Sequence, residues 1–360
     1  MLVREHVSAG HEVLVLASTE TFDSTGLTSY TSPSTYLGTD GAAVIRLPYS
    51  KWLPHRVMSK LRFHPGVYRL ISDFKPNVIV FHGPCGAELL TVAKYVKQNT
   101  EVKLFVDSHE DFNNSARSWL SKLILYRGFY VPIIHSVRRV VEKFLYITYE
   151  TKRFCKELYG LSDEELEFFP LGGVVLSDEE YKTQRLSARS RLNVPDDTVL
   201  FFQSGKFDHK KKLLESLRAF KSVQSQNARL VLVGSFASAI EAEAQSLIDS
   251  DARISYLGWA NSDELLGLLC AADVYVQPGS QSATLQMSIA ARCAVIIDDV
   301  ASHRDIFRDN GFLVKNEEDL AKAMSACLNS QDQIANMSKN SLEFANQKLN
   351  YAVLAARLLK

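Results

Sequence analysis

Short β-branched runs alternate with helix-forming stretches along this whole chain, and that alternation limits what it can fold into. The strand candidates of the first half are Glu12–Ala17, Ala43–Leu47, Val78–His82, Val102–Asp107 and Phe144–Thr148. Those of the second half are Val199–Ser204, Ala228–Val233, Ile254–Leu257, Val274–Gln277 and Ala294–Ile297. Helical stretches such as Leu213–Gln224, Ser262–Ala271 and Glu318–Leu328 lie between them. Strands separated by helices pair in parallel through crossovers, which predicts an α/β class. The 360 residues exceed what one hydrophobic core usually serves, so two domains are expected. Neither an internal repeat nor a low-complexity segment is visible.

The pattern breaks at Phe168–Val174, where Pro170 and the paired Gly172 and Gly173 interrupt it and a charged stretch follows. The expected organisation is a first domain over 1–172, a second over 173–342 and a C-terminal helix within 343–360. That helix carries Val353, Leu354, Ala356, Leu358 and Leu359 at helical spacing and is expected to pack back towards the first domain.

Net charge is zero, which argues against a dedicated nucleic-acid binder. No run of 18 apolar residues exists to span a bilayer, and the first residues lack the apolar core of a signal peptide. The five cysteines are scattered without any Cys-x-x-Cys pair, which reads as buried thiols in a reducing cytoplasm.

The most telling local chemistry lies at Val274–Gln286. A short apolar strand runs into Pro278-Gly279-Ser280 and then into a helix beginning near Ser282 and Ala283. Such a turn gathers unpaired N–H groups and the positive end of a helix dipole at one spot, where a phosphate can sit. A second phosphate candidate is Gly205-Lys206-Phe207-Asp208-His209-Lys210-Lys211-Lys212. Cations are disfavoured in a helix's first turn, so three lysines there suggest an anion. Two such sites in one half suggest a diphosphate. The blander readings stay open: Ser282 as a plain N-cap, and the lysines as a solvated helix start.

Together these features resemble the two-Rossmann-domain (GT-B fold) glycosyltransferases, and within them the retaining family 4. That family's second domain opens with a strand, Gly-Arg, a Lys five residues after the Arg, and a helix ending Ala-Phe. Here the matching residues are Gly205, Lys206, Lys211, Ala219 and Phe220. The resemblance gives Lys206 and Lys211 the donor diphosphate. It gives Gly258 and Trp259, which open the tract ending Ala271-Ala272-Asp273, the nucleotide base. That tract also reads as an ordinary connection capped by Ser262. Gln286 takes the place of a Glu that receives the ribose. Lys206 for Arg loses bidentate geometry, and Gln286 for Glu loses charge assistance. The downstream Glu-Ala-x-x-x-Gly-x-Pro-Val pattern has decayed to Gln286–Val295.

The resemblance implies two domains facing across a cleft, a nucleoside diphosphate sugar as co-substrate, no other cofactor and no metal. In the first domain the strand ending at Asp107 leads into Ser108-His109-Glu110-Asp111. Ligands of parallel α/β sheets bind beyond the carboxyl ends of strands. The family carries a His here, so His109 is the catalytic candidate. Glu110 and Asp111 are candidates to orient it or to accept a proton, or are simply caps of the next helix. Phe81–Gly86 closes another strand with two glycines, read either as close approach to an acceptor or as a structural turn.

In the family, Gly-His-Glu-Val starts the second strand, and here that motif is Gly10–Val13. The first domain is therefore expected to lack its first strand, leaving two strand edges open.

Residues 46–72 carry six Lys/Arg and no acid, and residues 112–141 carry five and no acid. Trp52, Phe63, Trp119, Leu120, Leu123 and Tyr126 are interleaved with them. This fits peripheral docking on an anionic membrane, and equally a helix with one core face and one solvated basic face.

The function expected is sugar transfer to a glycan or lipid-linked acceptor in cell-surface polysaccharide or lipopolysaccharide assembly, in the cytoplasm or at the inner face of the membrane. A nucleotide-sugar epimerase of the same fold and a non-catalytic scaffold or partner subunit are the alternatives. Donor incubated without acceptor separates the first alternative, because only an epimerase would interconvert it. Donor binding separates the second.

Overall fold

The computed structural model describes residues 2–23 and 27–360. The chain forms two compact units: residues 1–170 with 354–360, and residues 171–353.

The first unit carries β1 (Leu14–Ser18), β2 (Glu20–Phe22), β3 (Thr28–Tyr30), β4 (Ser34–Leu37), β5 (Ala43–Leu47), β6 (Val78–His82), β7 (Lys103–Ser108), β8 (Lys143–Tyr146) and β9 (Leu166–Phe168). They form two main sheets, β1-β5-β4 and β6-β7-β8-β9, besides the β2-β3 hairpin. The four strands β6 to β9 are all parallel. Among the described residues, β1 and β6 each end their sheet without a further neighbour on one side. Leu89, Leu104, Ile134, Phe144 and Phe154 fill the core beneath the four-stranded sheet.

The second unit is one six-stranded sheet. Its strands are β10 (Val199–Phe207), β11 (Ala228–Phe236), β12 (Ile254–Tyr256), β13 (Val274–Gln277), β14 (Ala294–Asp298) and β15 (Gly311–Val314). Their order is β12-β11-β10-β13-β14-β15, and every pairing is parallel. The order reverses between β10 and β13, so the crevice between their carboxyl ends is where a doubly wound sheet receives ligands. The strands are apolar on both faces because helices cover both. Phe201, Leu230, Val274 and Ile296 pack with Leu217 and Phe220 of the helix Leu213–Ser222. Burying each such side chain contributes roughly 1.5–3 kcal/mol.

The alternation read from the sequence matches these elements closely, including the helix Ser262–Ala271. β15 escaped that reading because it opens with Gly311. A Cβ there would lie 1.7 Å from the Val295 oxygen, so the strand begins where only glycine fits. The hairpin β2-β3 and strand β4 escaped it because they are short and largely exposed. The last helix is Tyr351–Arg357. From it the Arg357 guanidinium contacts the Glu167 carboxylate, donates to the Phe168 carbonyl at 2.8 Å and stacks on Phe169. Those contacts explain why residues 354–360 belong with the first unit.

Candidate functional site

In the second unit, β10 delivers Gly205 and Lys206 to the carboxyl edge of the sheet, where Lys206 is exposed. Asp208 then caps a single 3₁₀ turn, His209–Lys211, its Oδ1 accepting the N–H groups of Lys210 (2.9 Å) and Lys211 (3.2 Å). Lys212 takes a left-handed conformation (φ 50°) and starts the helix Leu213–Ser222.

The three lysines therefore do not share one helical turn, and one common anion is not what explains them. Lys210 is exposed. Lys212 Nζ pairs with Asp298 at 2.8 Å. Lys211 turns the other way, and its Nζ donates to the carbonyls of Ser280 (2.8 Å) and Gln281 (3.3 Å). Burial pulls the Lys211 ammonium below the ordinary lysine range, only partly offset by Asp208.

The Pro278–Ser282 turn sits directly on this basic segment. The Ser280 N–H donates to the Lys210 carbonyl at 2.9 Å. A Cβ on Gly279 would lie 2.1 Å from that same carbonyl oxygen, so the close approach requires glycine. Ser282 is the N-cap of the helix Ala283–Ala290, its Oγ accepting the Leu285 N–H at 3.3 Å. The same hydroxyl donates to Gln277 Oε1 at 2.7 Å, and Gln277 Nε2 donates to the Ser280 carbonyl at 2.6 Å. Tyr275 links Gln277 (3.2 Å) to Ser204 of β10 (3.1 Å). Ser204, Tyr275 and Gln277 are all buried. This network fixes the turn to both central strands, and a buried, satisfied network of this kind rigidifies what it holds.

A second group of glycines adjoins the first. Gly234, at the end of β11, runs so close to Gly205 that a Cβ would lie 1.8 Å from the Gly205 oxygen. Its N–H donates to the Gly258 carbonyl at 2.8 Å. Gly258 (φ +72°) faces open space, and Trp259 beside it is 70% exposed. The helix that follows is capped by Asn261 rather than by Ser262. Asn261 Oδ1 accepts the N–H groups of Asp263 and Glu264, and Glu264 returns the bond in a capping box.

Gln286 lies apart from this surface. It is fully buried, and its Oε1 accepts the Gly172 N–H at 2.9 Å. The carbonyl expected to receive a ribose is already used by the chain itself. Its Nε2 is buried without a hydrogen-bond partner.

In the first unit, His82 and Asp107 lie opposite each other at the carboxyl ends of β6 and β7. Asp107 Oδ2 is 2.6 Å from His82 Nδ1 and 3.3 Å from His109 Nε2, and its Oδ1 accepts the Gly83 N–H at 3.0 Å. Burial works against the Asp107 charge, yet the hydrogen bonds from His109 and His82 outweigh it and hold the carboxyl well below its usual range. His109 is thus oriented by Asp107, not by Glu110 or Asp111. Glu110 accepts from the Ser108 hydroxyl at 2.6 Å. Asp111 closes its own loop, taking the N–H groups of Asn113 and Asn114. Gly86 lets the Arg62 side chain approach, since a Cβ there would lie 3.1 Å from Arg62 Cβ, which favours a structural turn at that glycine.

Sequence reasoning missed Asp107, His82, Tyr275 and Gln277. Each is a polar residue at the carboxyl end of a buried parallel strand, and that position was the available signal. Among the described residues no group of three His, Cys, Asp or Glu side chains is placed to hold a metal ion. All five cysteines are buried and unpaired.

Residues 184–344 match the family described as glycosyl transferases group 1. Among curated protein sequences, no relative matches the chain. Solved structures match across nearly its whole length. Sucrose-phosphate synthase from Thermosynechococcus elongatus aligns at TM-score 0.68 and 16% identity, over 99% of this chain and 90% of that one. WaaG, a glycosyltransferase involved in lipopolysaccharide biosynthesis, aligns at 0.62 and 17%, over 99% and 93%. HepE of Anabaena, in complex with UDP and glucose, aligns at 0.63 and 12%, over 97% and 98%. At such identities the likeness establishes the fold, which is GT-B.

Proposed function

We propose that this chain, a GT-B glycosyltransferase whose residues 184–344 form a glycosyl transferases group 1 domain, moves a sugar from a nucleoside diphosphate donor to a hydroxyl acceptor. The reading includes retention of anomeric configuration, no metal or further cofactor, and a role in cell-surface polysaccharide or lipopolysaccharide assembly. One observation carries it: the lysine segment after β10 and the amide-lined turn after β13 are docked on each other, with Lys211 Nζ 2.8 Å from the Ser280 carbonyl. A diphosphate placed there would meet Lys206, Lys211 and the N–H groups of Gly279 and Gln281–Ala283 together, the Ser280 N–H being taken by the Lys210 carbonyl. Those groups would stabilise the charge that develops on the departing diphosphate. Gly258, whose α-carbon faces open space, would leave room for a nucleoside beside them. Trp259 at its rim offers a ring for the base.

Titration calorimetry against UDP-, GDP- and ADP-sugars tests this reading. Heat with one of them, competed by the matching nucleoside diphosphate, is expected. A non-catalytic scaffold is the competing reading, and the buried Gln286 favours it. Absence of heat with all three would favour it decisively. Trp259→Ala is expected to weaken donor binding by about 1–3 kcal/mol if the base stacks on the ring. It should leave the urea midpoint unchanged, because the indole is 70% exposed. Unchanged donor affinity would remove Trp259 from the site.

The acceptor reading includes contact with a membrane surface through the first unit. Trp52, Trp119 and Ile124 are 84%, 74% and 61% exposed, beside the basic residues of their segments. Tyr126, by contrast, is buried in the core, and Phe63 packs against Trp52. Among the described residues no helix is long and apolar enough to cross a membrane. The double variant Trp119→Ser, Ile124→Ser is expected to cut co-sedimentation with phosphatidylserine-containing vesicles by about tenfold, as loss of interfacial apolar area requires. Equal sedimentation of both proteins would refute the contact.

A further inference from the structure

The six-stranded sheet of the second unit carries a recess at the edge opposite the lysine segment and its turn. The recess measures about 450 Å³, a volume within the range of small-molecule sites. It lies at the amino ends of β10, β13 and β14, between the helices Asp178–Arg191 and Gln331–Phe344. Val199 lines it, and Lys206 follows on the same strand. At the rise of a parallel strand the two places are roughly 20 Å apart.

The charges of its walls answer one another. The Arg185 guanidinium pairs with Asp273 and donates to the carbonyls of Cys270 (3.1 Å), Ala271 (3.0 Å) and Ala272 (3.3 Å), where the helix Ser262–Ala271 ends. Asp273 also takes Arg189 at 3.2 Å and the Leu200 N–H at 2.7 Å. Arg292 pairs with Asp178 at 2.7 Å and lies over the Tyr181 ring at 4.4 Å. Neither guanidinium of the wall is left to hold an anion, and the lining carboxylates Asp196 and Asp332 oppose one. The same two guanidiniums oppose a cation.

What the recess has to spare is hydroxyl chemistry. Among the described residues, the side-chain hydroxyls of Tyr181, Thr198 and Ser338 have no hydrogen-bond partner. Thr198 is 5% exposed, and the recess it lines is where a partner can reach it. Leaving such a group unpaired costs free energy, which a bound hydroxyl would recover. Burial pushes the Tyr181 phenol up to about 12, so it stays protonated and able to donate. Asp196 and Asp332 are exposed and accept only. Val199, Ile334 and Ala335 supply an apolar strip beside these groups.

We propose that this recess binds a neutral saccharide, at a site separate from that of the diphosphate. A sugar ring presents hydroxyls that both donate and accept around an apolar C–H face, which is what the walls leave unmatched. The site binds and carries out no bond chemistry, and the inference does not rest on the transfer reading.

Saturation-transfer NMR on the full chain tests it, with glucose, galactose, mannose, N-acetylglucosamine, maltose and cellobiose in turn. At least one should bind, and should still bind with UDP in excess and in Lys211→Ala. Tyr181→Phe keeps the ring under Arg292 and should weaken that sugar about three- to tenfold, the worth of one hydrogen bond. Ala335→Phe fills the recess from an exposed helix position and should abolish sugar binding with UDP affinity unchanged. Asp332→Asn, also at an exposed position, should weaken the sugar as Tyr181→Phe does, and a urea midpoint near the parent's shows that each variant folds. No binding by any of the six sugars, binding that UDP displaces, or binding that Ala335→Phe leaves intact overturns the proposal. So does a recess that takes orthophosphate or spermidine and no sugar. Absence of UDP binding overturns the transfer reading and leaves this one standing.

Discussion

Lys211→Ala is expected to weaken donor binding by about 1–3 kcal/mol, roughly five- to 150-fold, the worth of a hydrogen bond to a charged group with loss of its ion pair. Two losses combine in this variant. The ammonium that would meet the diphosphate disappears, and so do the bonds that hold the Ser280 and Gln281 carbonyls at 2.8 and 3.3 Å. A pH signature accompanies the effect. Burial lowers the Lys211 pKa from the ordinary lysine value, so the free protein loses that charge earlier than usual as pH rises. A bound anion favours the protonated form, and donor affinity should therefore fall on the alkaline side, at a pH below an ordinary lysine's pKa. The variant should lack that limb. Calorimetry between neutral and alkaline pH checks both points, and equal affinity in the two proteins would remove Lys211 from the site.

Gly279→Ala should produce the larger structural effect. Its Cβ would lie 2.1 Å from the Lys210 oxygen and 2.9 Å from both the Lys211 carbonyl carbon and Cα, so backbone must move. Relief would separate the turn from the lysine segment and break the Ser280 N–H bond to Lys210. Overpacking of this kind typically costs about 1–3 kcal/mol. The urea midpoint should fall accordingly, and donor affinity should drop at least about tenfold, since the amides and Lys211 would no longer face one point. A variant with full stability and full affinity would mean that the contact between the two segments is not what forms the site.

The donor half was the more legible in the sequence because its signals are contiguous. A strand, a Pro-Gly-Ser turn and a helix occupy thirteen consecutive positions, Val274–Gln286. The strand-lysine-helix segment Val199–Ser222 is read the same way. What lay beyond reach is pairing across strands. Nothing in the sequence says that Ser204 meets Tyr275, or that His82 lies in register with Asp107, until the strand order is known. The lysines show the same limit. A charge count suggested one anion for all three, yet side-chain direction sends Lys212 to Asp298 and Lys211 to the turn. Gln286 was assigned by its place in a motif, and packing overrode the assignment. The Gly172 N–H needed a buried acceptor, and Gln286 supplies it.

That burial also marks where this chain departs from the family it resembles. A ribose would have to be received by something other than the Gln286 carbonyl unless Gly172 released it. What remains there is the Gly258 backbone and the polar edge of the turn.

The central claim is that a diphosphate is held by Lys206, Lys211 and the amides of Gly279 and Gln281–Ala283. Its most direct test is a crystal structure of the protein soaked with UDP and, separately, with GDP. The account predicts diphosphate density within hydrogen-bonding distance of Lys211 Nζ and of at least two of those amides, with the nucleoside lying towards Gly258. Diphosphate density at any other place on the molecule, or no density with either nucleotide at saturating concentration, would contradict it.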